Sequence, residues 1–210
     1  MSILILSEHP TLNEGSHPFT NGPWRYFKAM LSRVGINPRE CLWHNVISKP
    51  AASFFSYLQK GKANGLHGFP AIVKGFYLSP SCGPDIQHLF KMLDVWKPNL
   101  ILAVGDIPLI VLTGQTKMQF ARGRVTSTES GLKVLPIFHP SKIVADQSLE
   151  PILIADLHKA KRQMAFPEVR RPQRYLHLRP TIEDLEEFWQ TYIEPSPRLS
   201  MDIETKGAVI

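Results

Sequence analysis

Cysteine is scarce in this chain of 210 residues: only Cys41 and Cys82 are present, and neither belongs to a paired spacing such as C-x-x-C. That excludes a disulfide framework and a dedicated zinc site, and both residues read as free, partly buried thiols. Long apolar runs are also missing. The longest stretches, such as Leu100-Ile101-Leu102-Ala103-Val104, fall far short of the roughly 20 residues a bilayer span requires. No glycine-rich phosphate cradle follows any apolar run, which counts against a small-molecule α/β enzyme. His17, His44 and His158 share no metal-ligand spacing and read as surface or packing residues.

The first apolar run, Ile3-Leu4-Ile5-Leu6, lacks a basic leader and stops at an acidic residue, so it reads as a first strand and not as a signal peptide. A cytoplasmic protein is expected. Charge is unevenly spread. Residues 1–166 hold 18 Lys/Arg against 10 Asp/Glu, a net +8, whereas residues 167–210 hold 6 against 8, a net −2. A basic excess confined to the first part suits a surface that meets a polyanion.

Trp24, Phe27, Leu31 and Val34 recur at helical spacing before Gly35, and Leu42 to Ile47 reads as a second strand. From Lys49 to Ser81 Gly61, Gly65, Gly68, Pro70 and Gly75 break the pattern, predicting a long irregular insertion with a weak helix near Phe54–Leu58. Pro84 and Asp85 open a helix with Ile86, Leu89, Phe90 and Leu93 on its buried face. Asn99 to Val104 has the continuous apolar character of a buried parallel strand, and a short helix follows around Pro108–Leu112. Val134–Phe138 supplies another strand, and a last helix runs to about Met164. This alternation predicts an α/β fold: an open, mainly parallel sheet with helices on both faces. The segments that follow the strands then gather along one edge, where such folds bind ligands.

A linker with two prolines, 167–173, separates residues 1–166 from 174–210. Beyond it a short strand (Arg174–Leu178), a helix opened by Thr181 with Asp184 as its capping partner, and Leu199 to Thr205 read as the truncated α/β start of a second domain.

Ser7-Glu8-His9-Pro10-Thr11, then Pro18-Phe19 and Gly22, Asn45-Val46, Lys97-Pro98 before Leu100–Gly105, Ala121-Arg122-Gly123-Arg124, and Leu135-Pro136 with His139-Pro140-Ser141 form an ordered series over roughly residues 3 to 164. The series resembles the uracil-DNA glycosylase superfamily, in particular the branch whose first motif reads G-E-x-P-G. The resemblance implies hydrolysis of the bond between deoxyribose and a uracil swung out of DNA, since the reacting carbon is out of reach in a stacked duplex. It gives His139 the stabilisation of the departing uracil anion. Glu8 or His9 would organise the attacking water, Glu8 being preferred. Asn45 would pair with the uracil edge, Phe19 would stack on the base, and Pro10 completes the base site. Arg122, Arg124, Ser141 and Lys142 are the expected phosphate contacts, with Ile143 as a wedge into the duplex.

This chain departs from that branch where Ser7 and Thr11 replace glycines and His9 replaces a small residue; a β-branched residue at Thr11 narrows the base site or blocks it. The branch holds an iron–sulfur cluster on four cysteines, and the N-terminal pair is absent here, so no cluster and no other cofactor is expected in this domain. These departures favour a second reading, a catalytically silent glycosylase-fold module that binds DNA for a replicative polymerase.

Ser200-Met201-Asp202-Ile203-Glu204-Thr205 resembles the first motif of the proofreading 3′–5′ exonuclease of family A DNA polymerases. Carboxylates one residue apart on a strand project to the same face, so Asp202 and Glu204 would be two ligands for a divalent ion, Mg or Mn, in a complete exonuclease domain. Nuclease activity is not expected of these residues alone. The chain is expected to be a monomer with DNA as its partner, with no membrane contact, and to adjoin the polymerase domains of a longer phage-type chain.

Overall fold

The computed structural model describes residues 2–14, 18–61, 69–170 and 179–200. Strand β1 (Ile3–Ser7) is buried at every position. Helix α1 (Gly22–Arg33) is opened by Asn21, whose side chain accepts the Trp24 N–H at 3.2 Å, and it buries Trp24, Phe27 and Leu31. Strand β2 (Leu42–Asn45) ends two residues earlier than the apolar pattern suggests. Val46 and Ile47 instead donate their N–H groups to the carbonyls of Ser7 and Glu8, at 2.8 and 3.0 Å, and so keep the chain alongside the end of β1.

The glycine-broken insertion contains more order than its composition suggests. A single 3-10 turn over Phe54–Tyr57 replaces the weak helix, and β3 (Leu58–Lys60) pairs antiparallel with β4 (Phe76–Leu78). Helix α2 (Gly83–Trp96) buries Ile86, Leu89 and Leu93, but Phe90 is 37% exposed and belongs to its outer side. Strand β5 (Leu100–Val104), helix α3 (Asp106–Thr113), the short helix α4 (Met118–Ala121), β6 (Thr126–Ser127), β7 (Lys133–Ile137), α5 (Pro140–Ala145) and α6 (Glu150–Gln163) follow.

The strand order is β2-β1-β5-β7-β6, parallel throughout except for the antiparallel edge strand β6. Because side chains alternate along a strand, β1 sends Ile3 and Ile5 into one core with Trp24, Phe27 and Leu157, and Leu4 and Leu6 into another with Ile86, Leu89 and Ile110. Both faces are covered, as a parallel sheet demands. The chain runs outward from β1 to β2, then returns to place β5 on the other side of β1. The reversal of order between β1 and β5 opens a crevice at the carboxyl ends of those strands. No helix among the described residues is long and apolar enough to cross a membrane.

The chain divides into two compact units, Met1–Arg170 and Arg171–Ile210. In the first, Lys133 is fully buried and donates its ammonium to the carbonyls of Phe166 and Glu168, tying the segment after α6 to β7. In the second, Thr181 and Asp184 form the expected capping box at the start of α7 (Ile182–Phe188). The predicted strand Arg174–Leu178 and the carboxylates Asp202 and Glu204 lie outside the described residues.

Candidate active site

A cleft of about 370 Å³ lies where the carboxyl ends of β1, β5 and β7 meet. The residue that follows β1 is Glu8, those that follow β5 are Gly105 and Asp106, and those that follow β7 are Phe138 and His139; all line the cleft. His9, Thr11, Phe54, Met118, Ser141 and Lys142 complete most of the wall.

Glu8 is seated on the turn that opens α3. Its Oε1 accepts the backbone N–H of Asp106 at 2.8 Å and, more weakly, that of Ile107 at 3.4 Å. Gly105 makes this possible: its φ of +97° suits glycine, and a Cβ there would lie 2.6 Å from Glu8 Oε1. Burial pushes the Glu8 carboxyl up to about 7, and the neighbouring Asp106 carboxylate adds to the rise, while the two backbone donors oppose it. Asp106 itself is displaced upward by burial, with Lys142 pulling the other way.

His139 caps α5. Its Nδ1 accepts the Ser141 N–H at 3.2 Å, and the ring packs edge-on against Trp24 with centroids 5.2 Å apart. Burial pushes its pKa down to about 4, the nearby His9 lowers it further and Glu14 opposes. The ring is therefore neutral at physiological pH, and with Nδ1 accepting, Nε2 carries the proton. His9 has the opposite arrangement: its Nδ1 donates to the Pro10 carbonyl at 2.8 Å, so any acceptor role falls to Nε2. One histidine of the cleft offers a donor and the other an acceptor.

Two residues that composition does not single out shape this wall. Asp106 brings a second carboxylate beside Glu8; the only sequence signal is a Gly-Asp step after an apolar run. Glu14, 6% exposed, accepts the Thr11 N–H at 2.8 Å, the Thr11 hydroxyl at 3.1 Å and the Thr20 N–H at 3.1 Å. It holds Thr11 against the cleft and folds the loop after β1 back on itself. An acid in a loop of small polar residues gives no hint of such burial.

Several other expected site residues stand elsewhere. Phe19 is 5% exposed and packs in the core against Trp24 and Trp43, at 4.9 and 5.2 Å, so it does not line the cleft; Phe54 and Phe138 are the aromatic rings there. Pro10 is buried, with its carbonyl used by His9 and by the Ala51 N–H. Asn45 sits beside Ser7 in register at the ends of β2 and β1, outside the cleft lining. Its Oδ1 and the Ser7 hydroxyl are both buried without a hydrogen-bond partner among the described residues. Ile143 is fully buried under α5 and cannot serve as a wedge; Val144, 48% exposed, is the apolar side chain that α5 presents. Arg122 has its charge matched, since Nη1 lies 3.0 and 2.9 Å from the two carboxylate oxygens of the buried Asp156. Arg124 is exposed, and Lys142 lies over the Phe138 ring at 4.1 Å. Cys41 and Cys82 are buried in separate cores, so they do not share a ligand site.

The family profile described as the Uracil DNA glycosylase superfamily matches residues 1–166. A DNA polymerase of Bacillus phage SP01 is 23% identical over 216 residues; the match takes in 97% of this chain and 21% of the polymerase, so the chain spans about a fifth of that relative's length. The first unit, with its parallel sheet and the cleft at the ends of β1, β5 and β7, is the part the profile covers, and the chain belongs to the uracil DNA glycosylase superfamily.

Proposed function

We propose that residues 1–166 are a DNA glycosylase domain that hydrolyses the N-glycosidic bond of a uracil swung out of DNA, at the front of a phage-type DNA polymerase. The observation that carries this reading is the pairing, in one cleft, of a carboxyl titrating near 7 with a histidine that stays neutral. Water attacks the sugar carbon as the bond to the base breaks. Glu8, or His9 through its accepting Nε2, takes the proton from that water. The electron pair leaves with uracil, and the Nε2–H of His139 donates to the oxygen on which the charge collects. A donor fixed before the reaction begins costs no reorganisation when charge develops, and such donors are worth about 3–4 kcal/mol. A base with a pKa near 7 is half-deprotonated at neutral pH, which suits proton abstraction.

Asn45 lies outside the cleft lining but beside Ser7, the residue before Glu8, and from there is the proposed reader of the uracil edge. Its unpaired Oδ1 supports this, because a buried polar atom left without a partner is one that a ligand or ordered water can satisfy. The SP01 polymerase match supports the placement within a longer polymerase chain, and residues 174–210 are then the opening of its 3′–5′ exonuclease domain, with Asp202 and Glu204 holding Mg or Mn in the complete domain.

The silent-module reading is favoured by one specific observation: Thr11 stands in the cleft wall with its hydroxyl and N–H both bound by Glu14. The two readings separate in one assay. Incubation with a uracil-containing single-stranded oligonucleotide, followed by alkali, yields strand breaks if the domain excises uracil, and His139→Ala removes them. Salt-sensitive binding with no abasic product from either protein supports the silent module.

A further inference from the structure

The short helix α4 separates the cleft from a second feature. It buries Met118 and Ala121, and Met118 lines the cleft. With those two side chains inward, helical geometry turns Phe120 outward, where it is 61% exposed. A single exposed aromatic needs no explanation by itself; its surroundings make this one different. Phe120 lines a shallow depression of about 360 Å³ together with Pro70, Gly114, Gln115, Thr116, Lys117 and Arg124. Lys117 Nζ lies 5.9 Å from the centre of its ring. No carboxylate lines the depression, and neither Lys117 nor Arg124 makes an ion pair among the described residues. Arg122, in contrast, is occupied by Asp156.

We propose that Phe120 is a stacking platform for a second, unflipped base of the same DNA strand, with Lys117 and Arg124 holding the phosphates beside it. The inference rests on the glycosylase reading only in taking DNA as the partner. An open aromatic face flanked by uncommitted cations is the combination that grips single strands without reading sequence. Because α4 contributes Met118 to the cleft and Phe120 to the depression, a strand with one nucleotide in the first places a neighbour near the second.

The test is fluorescence anisotropy with a labelled, uracil-free single strand, run beside single-turnover excision from a uracil-containing strand at saturating protein. Phe120→Ala should weaken binding about tenfold without changing its salt dependence, and Phe120→Trp should restore it. The Lys117→Ala, Arg124→Ala double variant should instead reduce the slope of log affinity against log salt by about 1.4. Unaltered binding by Phe120→Ala overturns the platform and leaves the glycosylase reading intact if excision persists. Absence of DNA binding by the unaltered protein ends both. A Phe120→Ala variant that keeps its DNA affinity and loses only association with the rest of the polymerase chain makes the surface a protein contact and overturns the proposal.

Discussion

Ser141 donates its backbone N–H to Nδ1 of His139 at 3.2 Å, and this bond decides which nitrogen of the neutral ring carries a proton. Nε2 is left as the donor. Replacing His139 by Ala should lower uracil excision by about 10²- to 10³-fold, the cost of losing one fixed donor to a developing anion. Single-turnover rates on a uracil oligonucleotide measure this. Because the ring resists protonation down to about pH 4, no fall in rate near pH 6.5 should trace to His139.

Glu8 should set the acid limb of the rate profile. Its carboxyl must be ionised to accept a proton from water, and burial beside Asp106 raises its pKa to about 7. The rate should climb with pH and level off above about 7. Glu8→Gln should abolish most of the activity and remove that limb. If His9 is the organiser of water, His9→Asn will carry the larger loss.

How far the sequence alone reaches is seen in these same residues. The runs Ile3–Leu6, Leu100–Val104 and Val134–Phe138 are apolar enough to announce buried parallel strands, and once they lie side by side Glu8 and His139 must share an edge. The supporting residues are not legible in this way. Phe19 lies in a polar loop, yet Trp24 and Trp43 draw it into the core. Arg122 reads as a phosphate contact until Asp156, 34 positions later, is folded against it. Ile143 and Val144 are interchangeable in composition, and only the packing of α5 buries one and exposes the other. Each is settled by a partner distant in the chain, to which local pattern is blind.

Stability should show the two cleft groups offsetting each other. Glu8 has a folded pKa raised from 4.5 to about 7, so its contribution is full below pH 4.5 and is lost as pH rises towards 7. His139 is lowered from 6.5 to about 4, so its contribution is full above pH 6.5 and is lost as pH falls towards 4. Each displacement is worth on the order of 3 kcal/mol. Between pH 4.5 and 6.5 the two slopes oppose, and the pair adds little net pH dependence to the unaltered protein. Glu8→Gln should therefore lose stability on acidification from 6.5, and His139→Asn should lose it as pH rises from 4.5. Urea midpoints across this range test the point; parallel profiles for all three proteins would refute it.

Arg122 and Asp156 make the sharpest contrast with the neighbouring Arg124. Asp156 is 6% exposed, burial raises its pKa, and the Arg122 guanidinium opposes that rise. Gly123 at φ +69° brings the chain so close that a Cβ there would lie 2.6 Å from Asp156 Oδ1. Arg122→Ala leaves a buried carboxylate unpaired and should cost on the order of 3 kcal/mol in denaturant unfolding. Adding Asp156→Asn should recover part of that loss, because the uncompensated charge goes with it. Arg124→Ala should leave stability within about 0.5 kcal/mol, as for other exposed positions, and reveal itself only in weaker, less salt-sensitive DNA binding. An Arg122→Ala variant that unfolds like the unaltered protein, yet binds DNA poorly, would return Arg122 to the phosphate contacts that its sequence context suggests.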